Sequence, residues 1–234
     1  MATIIPEPGG LYRLMTWLSP AFPVGAYSFS HGLEYAVEAG LVTDAAGLVA
    51  WVGHVVGHGA GRVDSALVLA AHRAVRAGDD ESLAWAVEWG DVLRGTAETA
   101  LESSAQGVAF LAAARAAWPA PALERLAGLA AALERAPAYA VVVGVAAAAA
   151  GSPEKTVLAA TLQAIAANLV SAALRLVPLG QTDGQRALAA LEPVVLAATE
   201  AALIRPLGDL GAAAPMVDWA SQRHETQYTR LFRS

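Results

Sequence analysis

The sequence predicts an all-α protein, a single-domain bundle of about nine to eleven helices around an alanine-rich core. Three observations carry this. Alanine supplies 57 of the 234 residues; it is the best helix former, because it loses no side-chain entropy and hides no polar group, and it is depleted from strands. Hydrophobic residues make up 56% of the chain against 15% charged, so a chain of this length can bury roughly 70% of its unfolded surface without staples. Helix start and stop residues punctuate the whole chain, with no fixed-period repeat and no linker. Residues 1–234 therefore read as one domain, loose at positions 1–10, where Pro6, Pro8, Gly9 and Gly10 cluster.

The elements follow in order. Residues 11–18 read as a short helix. Ser19 to Ser30 is irregular, because Pro20, Pro23 and Gly25 punctuate it, and its Phe22, Tyr27 and Phe29 predict a packed turn. A helix runs from about Ser30 to Gly40. Thr43 or Asp44 caps the next, through Trp51 and Val55, which Gly57, Gly59 and Gly61 break or bend. Val63–Ala77 follows, stopped by Gly78. Asp79 and Asp80 start a helix with Leu83, Val87 and Trp89 inward. Over 92–118, Leu93, Ala97, Leu101, Ser104, Val108 and Leu111 recur at helical steps as an apolar face, with Arg94, Glu98 and Glu102 on another. Pro119 and Pro121 end that run, and Leu123–Arg135 is a short helix. Tyr139–Ala150 is nearly uncharged and stops at Gly151. Ser152 caps a helix with Pro153 in its first turn, running to about Val177 with Asn168, Ser171 and Arg175 as a polar stripe. After Pro178, Thr182 or Asp183 caps a helix through Thr199 or beyond. A loop spans 205–214, and Met216–Tyr228 is the last helix, with a polar tail.

Composition excludes several functions. There is no cysteine, hence no disulfide scaffold, thiolate metal site or cysteine nucleophile. The formal net charge is −6 with no basic stripe, which argues against nucleic-acid binding. Residues 136–153 and 156–174 lack charge and approach bilayer-spanning length. Pro137 in the first, and Gln163, Asn168 and Ser171 in the second, favour buried core helices over spans. Positions 1–10 show neither a basic nor an apolar signal region, so the expected location is the cytoplasm and no membrane is expected.

Among side-chain constellations, His54 and His58 stand four apart on a helix, a spacing that can place two imidazoles on one metal. The zinc-protease Glu is missing. The favoured reading is an ordinary histidine pair, and a metal-dependent helical enzyme using His54 and His58 is the alternative. Ser103, Ser104 and Gln106 have no His or Asp in a compelling relation, so no catalytic residue is expected. Two segments exceed a structural need. Gly180-Gln181-Thr182-Asp183 carries more polar groups than one helix cap requires. Arg223-His224-Glu225 and Tyr228-Thr229-Arg230-Leu231-Phe232-Arg233 mix Arg, Tyr and Phe, the types favoured at protein interfaces.

Three stretches carry a resemblance. Ser19 to Glu34, SPAFPVGAYSFSHGLE, closely resembles the N-terminal signature of the urease accessory protein UreF family. Arg175 to Gln185, RLVPLGQTDGQ, is similar to its central signature, and Arg223 to Ser234, RHETQYTRLFRS, to its C-terminus. The resemblance implies an all-helical homodimer and a non-enzymatic chaperone for nickel insertion into apo-urease. It implies binding to UreD (UreH) and recruitment of the GTPase UreG, with no tightly bound cofactor and nickel in transit. Arg223 to Arg233 maps to the part that engages UreD. Gly180 to Asp183 and the turn residues Pro23, Gly25, Ser28, Ser30, Gly32 and Glu34 map to family surfaces near the dimer and the UreG platform. Where many relatives carry a basic residue just after the position of Glu98 and a His near Ala138, this chain has Thr99, Ala100 and Ala138. No role is carried over to those positions.

Overall fold

The computed structural model describes residues 8–234. Eleven α-helices and one 3-10 turn account for the regular structure among them. These are α1 (Pro8–Trp17), the turn Ala26–Ser28, α2 (Leu33–Glu38), α3 (Ala45–His58), α4 (Ala60–Ala77), α5 (Asp80–Val92) and α6 (Ala97–Ala117). Then come α7 (Pro121–Ala132), α8 (Tyr139–Ala149), α9 (Glu154–Ala173), α10 (Gln181–Ile204) and α11 (Pro215–His224). No strand occurs among the described residues, and the fold is all-α.

Most punctuation acts as the sequence predicts. Asp44 caps α3 by accepting from the Gly47 N–H at 2.8 Å. Gly59 separates α3 from α4, and Gly78 and Gly151 stop α4 and α8 in left-handed conformations. Several boundaries differ for physical reasons. Residues 8–10 are helical rather than loose, with Gly10 buried against Ser152, and residues 1–7 lie outside the described part. α2 starts only after Gly32, because His31 and Gly32 both have positive φ. The predicted 92–118 helix divides into the end of α5 and α6. Thr96 and Thr99 form a reciprocal capping box at 3.2 Å, which starts a new helix. The helix after Gly151 starts with Pro153 as its N-cap residue, so Ser152 does not cap it, and it ends at Ala173. Gly180 occupies the N-cap position of α10; Asp183 reaches back from the third helical position to accept from the Gly180 N–H at 3.1 Å. α11 ends at His224, and the chain beyond it is an ordered, non-helical segment.

Inward faces also differ in places. Leu83 and Val87 are buried, but Trp89 is exposed. On α6, Leu101 and Val108 point outward, whereas Glu98, Ser103, Gln106, Phe110 and Ala114 point inward.

Two apolar clusters form the interior. The first gathers α1 and α4–α8 around Leu67, Leu83, Phe110 and Leu126. The second gathers α2, α3, α9, α10 and α11 around Leu33, Leu48, Leu162, Leu191 and Phe232. α4 and α8 pack closely along their length, and α9 touches both clusters. Two helices, α9 and α10, are long and apolar enough to cross a bilayer by length and composition; half of the most apolar stretch of α9 is buried in the fold, but only 28% of that of α10.

Candidate functional site

The site is built where the N-terminal turn, α2, the start of α6, α11 and the last residues meet. The turn Ser19–Gly32 is held by its own backbone: Ser28 and Phe29 donate to the carbonyls of Gly25 and Ala26 at 3.1 Å. Gly32 has φ +76°, and a Cβ there would lie 2.6 Å from the Ser221 backbone nitrogen. Only glycine lets α2 approach α11 this closely in this conformation.

α2 then places Glu34, α6 places Glu98 and α11 places His224 in one buried row. The His224 side chain is 0% exposed and each carboxylate 9%. Nδ1 of His224 lies 2.7 Å from Glu98 Oε2, and Nε2 lies 3.1 Å from Glu34 Oε2. The remaining acceptor positions are filled by the C-terminal segment. Leu231 N–H donates to Glu34 Oε1 at 2.7 Å, Phe232 N–H to Glu34 Oε2 at 2.9 Å, and Arg230 to Glu98 Oε1 at 2.9 Å. A buried carboxylate is costly unless its oxygens accept hydrogen bonds; here the tail supplies them.

The end of the segment is stitched to the turn. Ser30 N–H donates to Ser234 O at 2.6 Å, Ser30 Oγ donates to the same oxygen, and Arg233 N–H donates to Ser28 O at 2.8 Å. Phe232 fills the second cluster beneath the Arg175 guanidinium, 4.3 Å from the ring centroid. Arg175 also donates to Tyr27 O at 3.0 Å. Further back, Thr96 and Ser221 hydroxyls lie 2.8 Å apart, and Glu225 accepts from the Ala97 N–H at 3.1 Å, at the positive end of α6.

His31 and Glu102 form a second pair at 3.3 Å, with Ser234 Oγ donating to the same carboxylate oxygen at 3.2 Å. Burial lowers the His31 pKa, but the hydrogen bond and charge of Glu102, helped by Asp64, outweigh it and raise it above the ordinary 6.5. A raised folded-state value means this contribution to stability is fully present below the unfolded value and is lost as pH rises through the folded one.

Chemically, the row is a clamp. The two His224 ring nitrogens face opposite carboxylates, so they do not converge on one ion. Among the described residues no three His, Asp or Glu side chains converge as a metal would need. The outer side of the segment is exposed: Tyr228 fully, Leu231 at 61%, with Arg223, Glu225, Arg230 and Arg233 around them. Trp219 of α11 is exposed beside Tyr35, with ring centroids 5.4 Å apart.

The predicted site residues thus fall into groups. Ser28, Ser30, Gly32, Glu34, His224 and Phe232 are inward or half-buried supports, while Glu225, Tyr228, Arg230, Leu231, Arg233 and Arg223 face out. Pro23 is exposed and Gly25 opens the 3-10 turn. Gly180, Gln181 and Thr182 are exposed at the start of α10, with Asp183 half-buried. No hydrogen bond joins them to the C-terminal segment among the described residues. His54 and His58 stand side by side on exposed turns of α3, ring centroids 5.0 Å apart, with His54 Nε2 3.2 Å from Ala213 O. Sequence reasoning missed Glu98, Glu102, His31 and Ser221 as parts of the clamp. No local signal marked them, because their partners come from distant parts of the chain.

The UreF family model matches residues 42–192. A protein named urease accessory protein UreF from Rhodopseudomonas palustris (strain HaA2) is 54% identical over 224 residues, covering 96% of this chain and 93% of its own. Proteins of the same name from Granulibacter bethesdensis (50% over 224 residues, 96% and 94% covered) and Bradyrhizobium diazoefficiens (49% over 228 residues, 97% and 93% covered) are similar.

Proposed function

The chain belongs to the UreF family of urease accessory proteins, and from that premise we propose that it is a chaperone and scaffold for nickel insertion into apo-urease. Its relatives are named urease accessory proteins, which is consistent with an accessory protein rather than an enzyme. In the proposed cycle it works in the cytoplasm as a homodimer, binds UreD (UreH) through the C-terminal segment, and presents the GTPase UreG to apo-urease. Nickel is cargo that other components hold and that passes through the assembly; this chain has no tightly bound cofactor.

One observation supports the reading above others. Leu231 and Phe232 donate their backbone N–H groups to Glu34, while Tyr228, Leu231 and Arg230 stay exposed. Aromatic and Arg side chains on a rigid backbone suit a partner interface, because their ordering cost is already met in the free protein.

Removing Arg223 to Ser234 is expected to abolish capture of UreD by the tagged protein from cells co-expressing the urease operon, with the helical circular dichroism largely kept. A truncated chain that still retains UreD would remove the segment from the interface.

The Gly180–Asp183 corner is a second proposed contact, facing UreG or the dimer partner. Asp183 accepts from Gly180 N–H and pairs with Arg186 at 3.0 Å. Losing an N-terminal helix acceptor costs ~1 kcal/mol, roughly 2–4 °C in a chain of this size. The Gln181→Ala/Asp183→Ala variant should therefore lower urease activation in cells severalfold while shifting the melting temperature by only that much. Full activation by the variant would take the corner out of the assembly.

A further inference from the structure

We propose that His31 is a pH-sensitive latch for the end of the C-terminal segment: charged, it holds Ser234 against α6, and neutral, it lets that residue go.

His31 stands where the N-terminal turn, α6 and the segment meet. Its backbone has φ +56°, a left-handed conformation that few residues other than glycine hold and that His, Asn and Asp tolerate best. From there its N–H donates to Ser234 Oγ at 3.4 Å, and its Nδ1 lies 3.3 Å from Glu102 Oε2. Ser234 Oγ donates to that same carboxylate oxygen at 3.2 Å. One oxygen of Glu102 thus ties the turn and the segment to α6.

The charges around the ring decide what its protonation does. Four charged side chains gather here, each at most 17% exposed: His31 and Glu102, and beside them Asp64 of α4 and Arg94 of the α5–α6 link, paired at 2.7 Å. Gln106 donates to the other Glu102 oxygen at 3.1 Å and carries no charge. Glu34, three residues on, is occupied by His224 and the segment's amides instead. With His31 charged, two acids face two bases. With His31 neutral, Glu102 and Asp64 share Arg94 alone. One negative charge is then left over in a site largely closed to water, which is unfavourable. Hydrating Glu102 relieves it. Ser234, 0% exposed and bonded to Glu102, covers the carboxylate from a non-helical segment and is the residue that can move aside.

The direction of the effect follows from His31. Burial opposes charging the ring, but the bond and charge of Glu102, with Asp64, outweigh burial and Arg94 and raise its pKa above 6.5. Docking is therefore firmest below 6.5 and weakens as pH rises through the raised value. A control is thereby added to the UreD surface proposed above; that consequence rests on the UreD reading, whereas the latch does not.

The test is amide hydrogen exchange of the full chain from about pH 6 to about pH 8.5, around the range in which histidine changes charge, each rate divided by that of an unstructured chain at the same pH. The reporters are Ser30 N–H and Arg233 N–H, which donate to Ser234 O and Ser28 O. Wild type is expected to lose protection there severalfold as pH rises, with α4 and α8 amides unchanged. His31→Asn keeps a donor near the Nδ1 position and tolerates the left-handed backbone; its protection is expected to be flat across the range. Should that variant fail to fold, Glu102→Gln serves. Its protection is also expected to be flat, because the remaining charges balance with the ring neutral. Flat protection in wild type overturns the latch. So does a loss in His31→Asn equal to that of wild type, which would place the titration on another group. UreD retention is expected to fall over the same range in wild type but not in His31→Asn. Equal retention by both at every pH, beside falling protection in wild type, overturns the consequence for UreD and leaves the latch. No retention at any pH overturns the UreD reading instead.

Discussion

The Glu34→Ala variant is expected to free the last residues of the chain and to lose UreD capture to the level of the truncated protein. Glu34 accepts from Leu231 N–H at 2.7 Å and Phe232 N–H at 2.9 Å, and its Oε2 lies 3.1 Å from His224 Nε2. Alanine removes all three acceptor contacts together. The two amides lie in the terminal segment, so they recover hydrogen bonds by undocking into water, with the Phe232 ring leaving the second cluster as they do. His224 cannot, because its side chain is 0% exposed. A buried polar nitrogen left without a partner costs about 1–3 kcal/mol, or roughly 2–12 °C at the melting temperature. The local effect is larger than the global one: amide hydrogen exchange at Leu231 and Phe232 should rise to the rate of an unstructured chain, while α4 and α8 amides stay protected. Unchanged protection at Leu231 in the variant would show that Glu34 does not hold the segment.

Gly107→Ala is expected to be the most damaging single methyl. Gly107 lies where α6 crosses the entry to α8, and a Cβ there would sit 1.9 Å from Pro137 O and 2.8 Å from Tyr139 N. Both are backbone atoms, so no side-chain rotation relieves the clash. α6 must move away from α8, and Phe110 and Ala114, both fully buried, move with it. Overpacking a core costs ~1–3 kcal/mol when side chains can yield; against backbone, roughly 4 kcal/mol is expected. Alanine returns about 1 kcal/mol of helix propensity. The net loss of roughly 3 kcal/mol should lower the melting temperature by about 6–12 °C. Thermal unfolding followed by circular dichroism reads it directly, and a melting temperature within about 2 °C of wild type would contradict the close crossing.

What the sequence made legible, and what it hid, follows one physical line. Signals that act within a few residues were readable: Asp44 capping α3, and Gly78 and Gly151 ending helices; Pro178 was expected to end α9, which stops earlier, at Ala173. The aromatic turn Ser19–Ser30 was expected to pack through Phe22, Tyr27 and Phe29; Phe22 and Phe29 are buried, whereas Tyr27 is 70% exposed. The clamp was hidden because its members come from far apart in the chain. Glu98 and His224 are separated by 126 residues, and nothing near Glu98 indicates that a histidine and an arginine will arrive to satisfy it. The same distance effect reversed the face of α6. Leu101 and Val108 look like core by spacing, yet they point outward, and Glu98 turns inward to a partner 126 residues away; Gln106, also inward, bonds Glu102 only one turn away. The split at Thr96 was missed because threonine replaces the usual Glu or Gln in the capping box. The family motifs include Glu34, His224, Arg230 and Phe232, which the structure brings together, but not Glu98, and they do not say which residues face inward and which outward.

The central claim is that Glu34, Glu98 and His224 hold the C-terminal segment as a preformed surface for UreD. The most direct measurement is retention of UreD by tagged wild-type, Glu34→Ala and Arg223–Ser234-deleted chains, from cells co-expressing the urease operon. The account predicts retention by wild type and loss by both variants, each still helical. Retention by the deleted chain at the wild-type level would contradict it.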